Sequence, residues 1–366
     1  MKAMDYIKQA DEIAQYFRKL ADDTSDRAEY DAVADRLPLT IAMAFVAGAV
    51  ALPIYQSARR GEATMGLTDK SDRANGQSSP VTIADEQVSE RTYEMYAAKF
   101  PDDLFEGEEG KHFAKNAKVT LVQDEIDGTQ NYVLGYGSFS YVNALYLHDD
   151  TTEQDCHVTS LVYDPLHRVL FVAVLGLGGF RFDLSESYEI VHMRPVQVSN
   201  PDVRTAKTPP YILMDTMGLG EDPILRRVLQ KLGYKVEPLS GSGLKVAVVS
   251  SEAVACAVFR SQRGNPDPWD IAAASLLVTE GRASDPDWEQ NRGKATSLSG
   301  GPLLTSDRKF YDGYAIGAPH AHSQIVMANT MIEKALSEQG ITQDDMTPKQ
   351  WDELAEHIAA TMPTQL

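Results

Sequence analysis

Four acid-rich clusters hold the residue types with which this chain could do chemistry: Val81-Thr82-Ile83-Ala84-Asp85, Glu106-Gly107-Glu108-Glu109, Asp124-Glu125-Ile126-Asp127-Gly128-Thr129 and Pro268-Trp269-Asp270. The third is the most informative, because a nearly apolar stretch from Val119 runs straight into two aspartates three residues apart and then into Gly-Thr. In a tight turn of that length both carboxylates and the Ile126 carbonyl can converge on one point. Converging carboxylates repel, by about 4 kcal/mol for two charges about 4 Å apart near a protein surface, so they persist only with protons or cations among them. Hard oxygen donors favour Mg2+ or Mn2+ over zinc. Taken singly, each cluster also fits solvated surface charge or turn residues, since the chain carries 53 acids. Other chemistries lack their signatures: there is no GxxxxGKS or GxxxxGKT phosphate loop, no HExxH and no GxSxG elbow. Gly176-Leu177-Gly178-Gly179 begins like a dinucleotide loop, but Arg181 stands where the third glycine belongs.

Taken in order, VTIAD, EGEEG, DEIDGTQNY and PDPWDIAAASLLVTEG resemble the inositol monophosphatase family of Mg2+-dependent, lithium-sensitive phosphomonoesterases. LVYDPLHRVLFVAVLGLGGF resembles the family's strand pair after its DxxDGT motif, and the resemblance covers about residues 38–330. It implies an α/β (α+β) fold, a layered α/β/α/β/α sandwich with the active site between two halves, so that Asp270 reaches across from the second. It makes Glu108, Asp124 and the Ile126 carbonyl ligands of a first metal, Asp124, Asp127 and Asp270 ligands of a second, and Asp85 the holder of a weaker third. Thr129, paired with Asp85, would then position or activate the attacking water. Two bound Mg2+ ions would acidify a bridging water and neutralise charge on the leaving oxygen, which is metal-assisted in-line displacement. Gly128 lets the backbone approach closely, and the amides of Gly128 and Thr129 at a helix start suit phosphate oxygens; alone, the pair reads equally as a plain turn and cap.

For the substrate, Thr129-Gln130-Asn131-Tyr132 resembles the motif of inositol and sugar phosphatases, whereas Ser240-Gly241-Ser242-Gly243-Leu244-Lys245 and Arg260 resemble 3'(2'),5'-bisphosphate nucleotidases. Ser242, Lys245 and Arg260 are therefore candidate substrate-binding residues. Lys245 also reads as a solvated helix residue, and Arg260 as a strand-end salt bridge. The expected activity is hydrolysis of a small polyol or sugar monophosphate, with a bisphosphate nucleotidase and then a fructose-1,6-bisphosphatase as alternatives. A catalytically silent, metabolite-binding regulatory relative is the rival from another class, against which the intact Glu108, Asp124, Asp127 and Asp270 count. The chain departs from the family pattern at Glu125, where the family usually has Pro, and in an extra N-terminal helical segment.

These motifs need elements to position them, and three units are expected: a helical extension (1–37), a metal-binding α+β domain (38–195) and a second α/β domain with C-terminal helices (196–366). Ile7, Ala10, Ile13, Phe17 and Leu20 recur at helical spacing, and a short helix follows Asp26. That stripe suits either the enzyme's own core or the interface of an expected homodimer. Residues 61–80, dense in Gly, Ser, Asp and Asn, read as a loop or lid. A helix over 86–100, strands over 119–123 and 139–147, and a hairpin pairing 157–163 with 168–175 across Asp164-Pro165-Leu166-His167 follow. Strands over 211–214, 235–239 and 253–260 alternate with helices over 222–232 and 244–251, the order of an α/β unit. Helices over 268–280 and 320–339 come next, and Thr347-Pro348-Lys349-Gln350 is a capping box opening the last helix.

Composition narrows the setting. A net charge of −19 repels phosphodiester backbones and anionic lipid, so neither nucleic acid nor a membrane surface is an expected partner. Cys156 and Cys256 form no CxxC pair, which leaves no cysteine zinc cage or disulfide framework and fits a reducing cytoplasm. The N-terminus MKAMDYIKQADEIAQ mixes charge with apolar residues too closely for a signal peptide. Residues 39–56 carry no charge over a length near the lower limit of a membrane span. Gly48, Pro53 and many alanines dilute them, and a buried helix is expected.

Overall fold

The computed structural model describes residues 3–23, 28–69, 80–112, 117–150, 152, 154–198, 208–215, 223–239, 241–250, 255–260, 269, 272–281, 292–304 and 313–363. Helices α1 (Ala3–Asp22), α2 (Ala28–Val33) and α3 (Leu37–Arg59) come first, then the short pair β1 (Thr68–Asp69) and β2 (Pro80–Val81), then α4 (Ile83–Ala97). Strands β3 (Leu104–Gly107), β4 (Lys111–His112) and β5 (Val119–Asp127) lead into α5 (Thr129–Leu134). A meander of β6 (Ser140–Asp149), β7 (Gln154–Asp164), β8 (Val169–Val174), β9 (Gly178–Leu184) and β10 (Ile190–Pro195) completes an eight-stranded sheet of order β10-β9-β8-β7-β6-β5-β3-β4. Next come β11 (Tyr211–Asp215), α6 (Pro223–Lys231), β12 (Lys235–Leu239), α7 (Ser242–Val249), β13 (Ala255–Arg260), α8 (Ala272–Thr279), β14 (Lys294–Ser297) and β15 (Tyr314–Gly317), then α9 (Pro319–Gln339) and α10 (Pro348–Thr361). Their strands form a five-stranded sheet of order β12-β11-β13-β15-β14.

The elements stack in five layers. Helices α3 and α4 cover one face of the large sheet, α7 and α8 fill the space between the sheets, and α6, α9 and α10 lie on the far side. The burial of β5 on both faces follows: all nine of its residues are buried, although the last four include three carboxylates. Helix α3 is apolar all round, which marks a helix with no solvent face. Its mean hydropathy of 2.1 would suit a membrane span, yet most of its side chains are buried inside the protein.

The amphipathic stripe of α1 faces the protein's own core. Ala10, Ile13 and Phe17 are fully buried, and the Phe17 ring meets Phe180 of β9 edge-on at 5.6 Å between centroids. Ile7 lies outside the seam, 40% exposed.

The expected hairpin across Asp164 to His167 forms, with Tyr163 opposite Leu170 and Asp164 opposite Val169. Asp164 Oδ1 accepts from the amides of Leu166 (3.0 Å) and His167 (3.1 Å), an Asx turn that presets the reversal. The capping box at Thr347 and Gln350 is also present. Strands unforeseen by the sequence pattern include β1, β3, β4, β9, β10, β14 and β15. Gly178 and Gly179, which imitate a dinucleotide loop, open β9 beyond a turn in which Gly176 is left-handed.

Candidate active site

The site begins where β5 ends. Residues three apart in a regular strand point to opposite faces. The β5–β6 register, however, runs Asp124 opposite Val142 and Asp127 opposite Ser140, so a bulge adds a residue to β5 there. That extra residue resets the alternation and lets Asp124 and Asp127 address the same side of the sheet. Gly128 follows with φ +85°, and a Cβ there would come 2.9 Å from the Ser138 carbonyl. Conformation and space both demand glycine at this position.

Asp127 joins the two halves of the molecule. Its Oδ2 accepts the Ser140 hydroxyl at 2.9 Å and the amides of Gly243 at 3.0 Å and Leu244 at 3.4 Å. Those amides open α7, whose own N-cap, Gly241, has no side chain to supply. A carboxylate from the large sheet thus caps a helix of the second half, where both the orphan N–H groups and the helix dipole favour negative charge.

Asp85 also has a structural duty. Its Oδ2 accepts the Thr82 amide at 2.8 Å and the Thr82 hydroxyl at 2.6 Å, completing the capping box of α4. Its Oδ1 faces the Thr129 hydroxyl at 3.3 Å, and that hydroxyl also reaches the Ile126 carbonyl at 2.9 Å. Glu108 is carried on the turn after β3, where its amide donates to the Gln123 carbonyl at 3.2 Å, one residue before Asp124. The structure therefore joins Asp85, Thr129 and the Ile126 carbonyl by hydrogen bonds, with Asp124, Asp127 and Gly128 on the same strand end and turn and the Glu108 turn docked beside it.

Charge is concentrated and dry. Asp85, Asp124, Glu125 and Asp127 are each at most 3% exposed. Burial pushes the Asp85 carboxyl up to about 6 against the hydrogen bonds from Thr82, with the Glu109 charge adding to the rise. Burial also pushes Glu125 up to about 7. Such a set is stable only with protons or cations among the acids. Its hard oxygen donors fit Mg2+ or Mn2+. Among the described residues no three acid, His or Cys side chains form a closed cation cage. Asp270, expected to complete the set, lies outside the described residues, as do the side chains of Ser242 and Arg260.

Two expectations change. Lys245 is not a solvated helix residue: it is 1% exposed, and its ammonium donates to the Leu239 carbonyl at 2.8 Å. Facing α7 toward the inter-sheet layer buries it. The helix after Gly128 is only six residues long, so the local amides, and not a long helix dipole, would meet a phosphate. Sequence reasoning missed Gln123, Ser140 and Gly243. Gln123 carried a signal, a lone amide inside an apolar strand; Ser140 and Gly243 matter only through the tertiary contact with Asp127.

Comparison with known proteins agrees with this fold. Residues 36–327 match the inositol monophosphatase family. An inositol monophosphatase of Dictyostelium discoideum is 29% identical over 204 residues, 55% of this chain and 69% of the relative. A 3'(2'),5'-bisphosphate nucleotidase of Haemophilus influenzae is 27% identical over 206 residues, again 55% and 69% of the two chains. Among solved structures, an inositol monophosphatase of Thermotoga maritima superposes with a TM-score of 0.60 at 18% identity, covering 82% of this chain and 99% of that one.

Proposed function

The chain belongs to the inositol monophosphatase family and is a phosphoric monoester hydrolase, and from that premise we propose that it is a Mg2+-dependent phosphatase of a small polyol or sugar monophosphate. The observation that carries the reading is the set of buried carboxylates Asp85, Asp124 and Asp127 gathered around Gly128 and Thr129 at the end of β5. Glu108, Asp124, the Ile126 carbonyl, Asp127 and Asp270 would hold two Mg2+ ions and Asp85 a third; Mn2+ fits the same donors. When bound, the metal supplies Lewis acidity toward water and the phosphoryl oxygens. The chain's own groups do the rest. Thr129, held by the Ile126 carbonyl and Asp85, offers its hydroxyl oxygen to an incoming water, and Asp85 is placed to take the proton relayed through it. The Gly128 and Thr129 amides orient the phosphate.

Lys245 supports the monophosphate over a bisphosphate, because its ammonium is turned inward to the Leu239 carbonyl. The likeness to a bisphosphate nucleotidase keeps one second reading, in which Arg260 and Lys245 hold a second phosphate through charge-assisted hydrogen bonds worth about 1.5 to 3 kcal/mol each. The deciding experiment is phosphate release with and without Mg2+ over inositol 1-phosphate, fructose 1,6-bisphosphate and 3'-phosphoadenosine 5'-phosphate, in wild type and Lys245→Ala. We expect the monophosphate to lead and Lys245→Ala to affect all three alike. A loss of tenfold or more confined to the bisphosphates selects the nucleotidase reading, and no Mg2+-dependent release at all rejects both.

The raised carboxyl of Asp85 gives a pH dependence. Without metal, the fold favours its protonated form, so this stabilising contribution is fully present below the ordinary value of 3.8 and is lost as pH rises through about 6. Metal binding runs the other way, because the ligand must be ionised. The half-saturating Mg2+ concentration is expected to be about tenfold higher at pH 5 than at pH 7. Equal values, read from Mg2+-induced shifts in unfolding temperature, would show that Asp85 takes no part.

A further inference from the structure

Glu125 stands between two expected metal ligands, at the place where the family usually has Pro, and the reading above gives it no task. We propose that its carboxyl is a positioning residue, a wedge that fixes the Gly107–Glu108 turn against β5 and so sets where the Glu108 side chain meets the metal. The proposal rests on the reading of Glu108 as a Mg2+ ligand.

Three observations carry it. Glu125 Oε1 accepts from Gln123 Nε2 at 2.9 Å, and the other Gln123 amide hydrogen goes to Thr92 Oγ1 on α4, also at 2.9 Å. The Gln123 carbonyl oxygen accepts the Tyr141 hydroxyl from β6 at 2.8 Å, so both ends of the amide are assigned and it cannot flip without breaking the set. The anchor for Glu125 is therefore rigid, tied to a neighbouring helix and to the next strand. Ser89 of α4 also hydrogen-bonds the carboxyl, so Glu125 is held from its own strand and from the neighbouring helix.

The second observation is Gly107. A Cβ built there would lie 2.6 Å from Glu125 Oε1, against 3.2 Å from the Gly110 carbonyl and 3.4 Å from Gln123 Cγ. Gly107 is not among the residues with positive φ, so its conformation does not call for glycine; a side chain there would press first on the Glu125 carboxyl and then on the Gly110 carbonyl. The third is the wiring of the turn itself. Gly107 pairs with Gln123 in the parallel ladder, the Gly107 amide donates to the Gly110 carbonyl at 2.7 Å, and the Glu108 amide donates to the Gln123 carbonyl at 3.2 Å. The Glu108 turn is thus bound to Gln123 by backbone and braced by the side chain that Gln123 holds. A proline at 125 would supply neither the acceptor nor the brace.

A double-mutant cycle over Gly107→Ala and Glu125→Ala tests this, with Glu125→Gln as the shape-keeping control. The readouts are the Mg2+-induced shift in unfolding temperature without substrate, and the half-saturating Mg2+ and kcat in phosphate release. Each alanine variant is expected to raise half-saturating Mg2+ by about tenfold or more, the range seen when groups supporting a ligand are lost. kcat at saturating Mg2+ should stay within about threefold of wild type, and Glu125→Gln should bind Mg2+ like wild type. The double variant should bind no more weakly than the worse single one, because the new methyl at 107 enters the space vacated at 125, a non-additivity confined to residues in contact.

If Glu125→Ala does not fold, Gly107→Ala against Glu125→Gln decides, since Gly107→Ala keeps every polar partner. A Glu125→Gln variant as weak as Glu125→Ala overturns positioning in favour of charge. Additive losses in the double variant, or unchanged Mg2+ binding in Gly107→Ala, overturn the wedge. A wild type that neither binds Mg2+ nor releases phosphate fails the proposed function itself; a wild type that does both, with unaffected variants, fails the wedge alone.

Discussion

Asp127→Ala is expected to lower Mg2+-dependent phosphate release by at least about 100-fold, the upper range for losing even a group that supports a metal ligand, and to lower the unfolding temperature as well. The second effect is specific to its geometry. Oδ2 is the acceptor for the Gly243 and Leu244 amides and the Ser140 hydroxyl, and each buried donor left unpaired costs about 1 to 3 kcal/mol. Asp124→Asn separates chemistry from folding: it should lose at least about 10- to 100-fold in turnover while removing one charge from a crowd of buried acids. Near-normal Mg2+-dependent activity in both variants would sink the assignment of these two aspartates.

The second large effect concerns the N-terminal helix. Phe17→Ala is expected to cost about 3 to 5 kcal/mol of stability, the range for truncating a buried aromatic ring, because Phe17 is fully buried against Phe180. That is a large share of the roughly 5 to 15 kcal/mol that holds most proteins together. Deleting residues 1–23 uncovers α3 and the Phe180 and Phe182 side of the sheet together, and should abolish cooperative unfolding in urea. A truncated chain with an unchanged urea midpoint would mean that α1 is an appendage.

Much of this site was legible in the chain because it is local. Asp124, Ile126, Asp127, Gly128 and Thr129 occupy one strand end and its turn, and Thr82 and Asp85 form a box three residues wide whose bonding the residue types dictate. The hairpin across Asp164 was legible for the same reason, since one side chain presets the reversal. The missed strands were not legible: β3 is four residues long, β14 and β15 four each, too short for a period of two to declare itself. Strand β10 exposes all six of its residues and so lacks the alternation that burial on one face imposes.

By itself, then, the sequence determined the chemistry on offer: hard oxygen donors in four ordered clusters, and a helix, α3, too apolar to face water. Only the tertiary structure decided how those donors are used. The bulge that turns Asp124 and Asp127 to one side exists through the pairing of β5 with β6, and Asp127 caps a helix that begins 115 residues later. Lys245, by type a surface residue, is buried because α7 lies between the two sheets, and a side chain at Gly107 would meet the carboxyl of Glu125, 18 residues on in the chain. Distances between residues far apart in the chain are set by packing the layers against each other, and no spacing along the sequence encodes them.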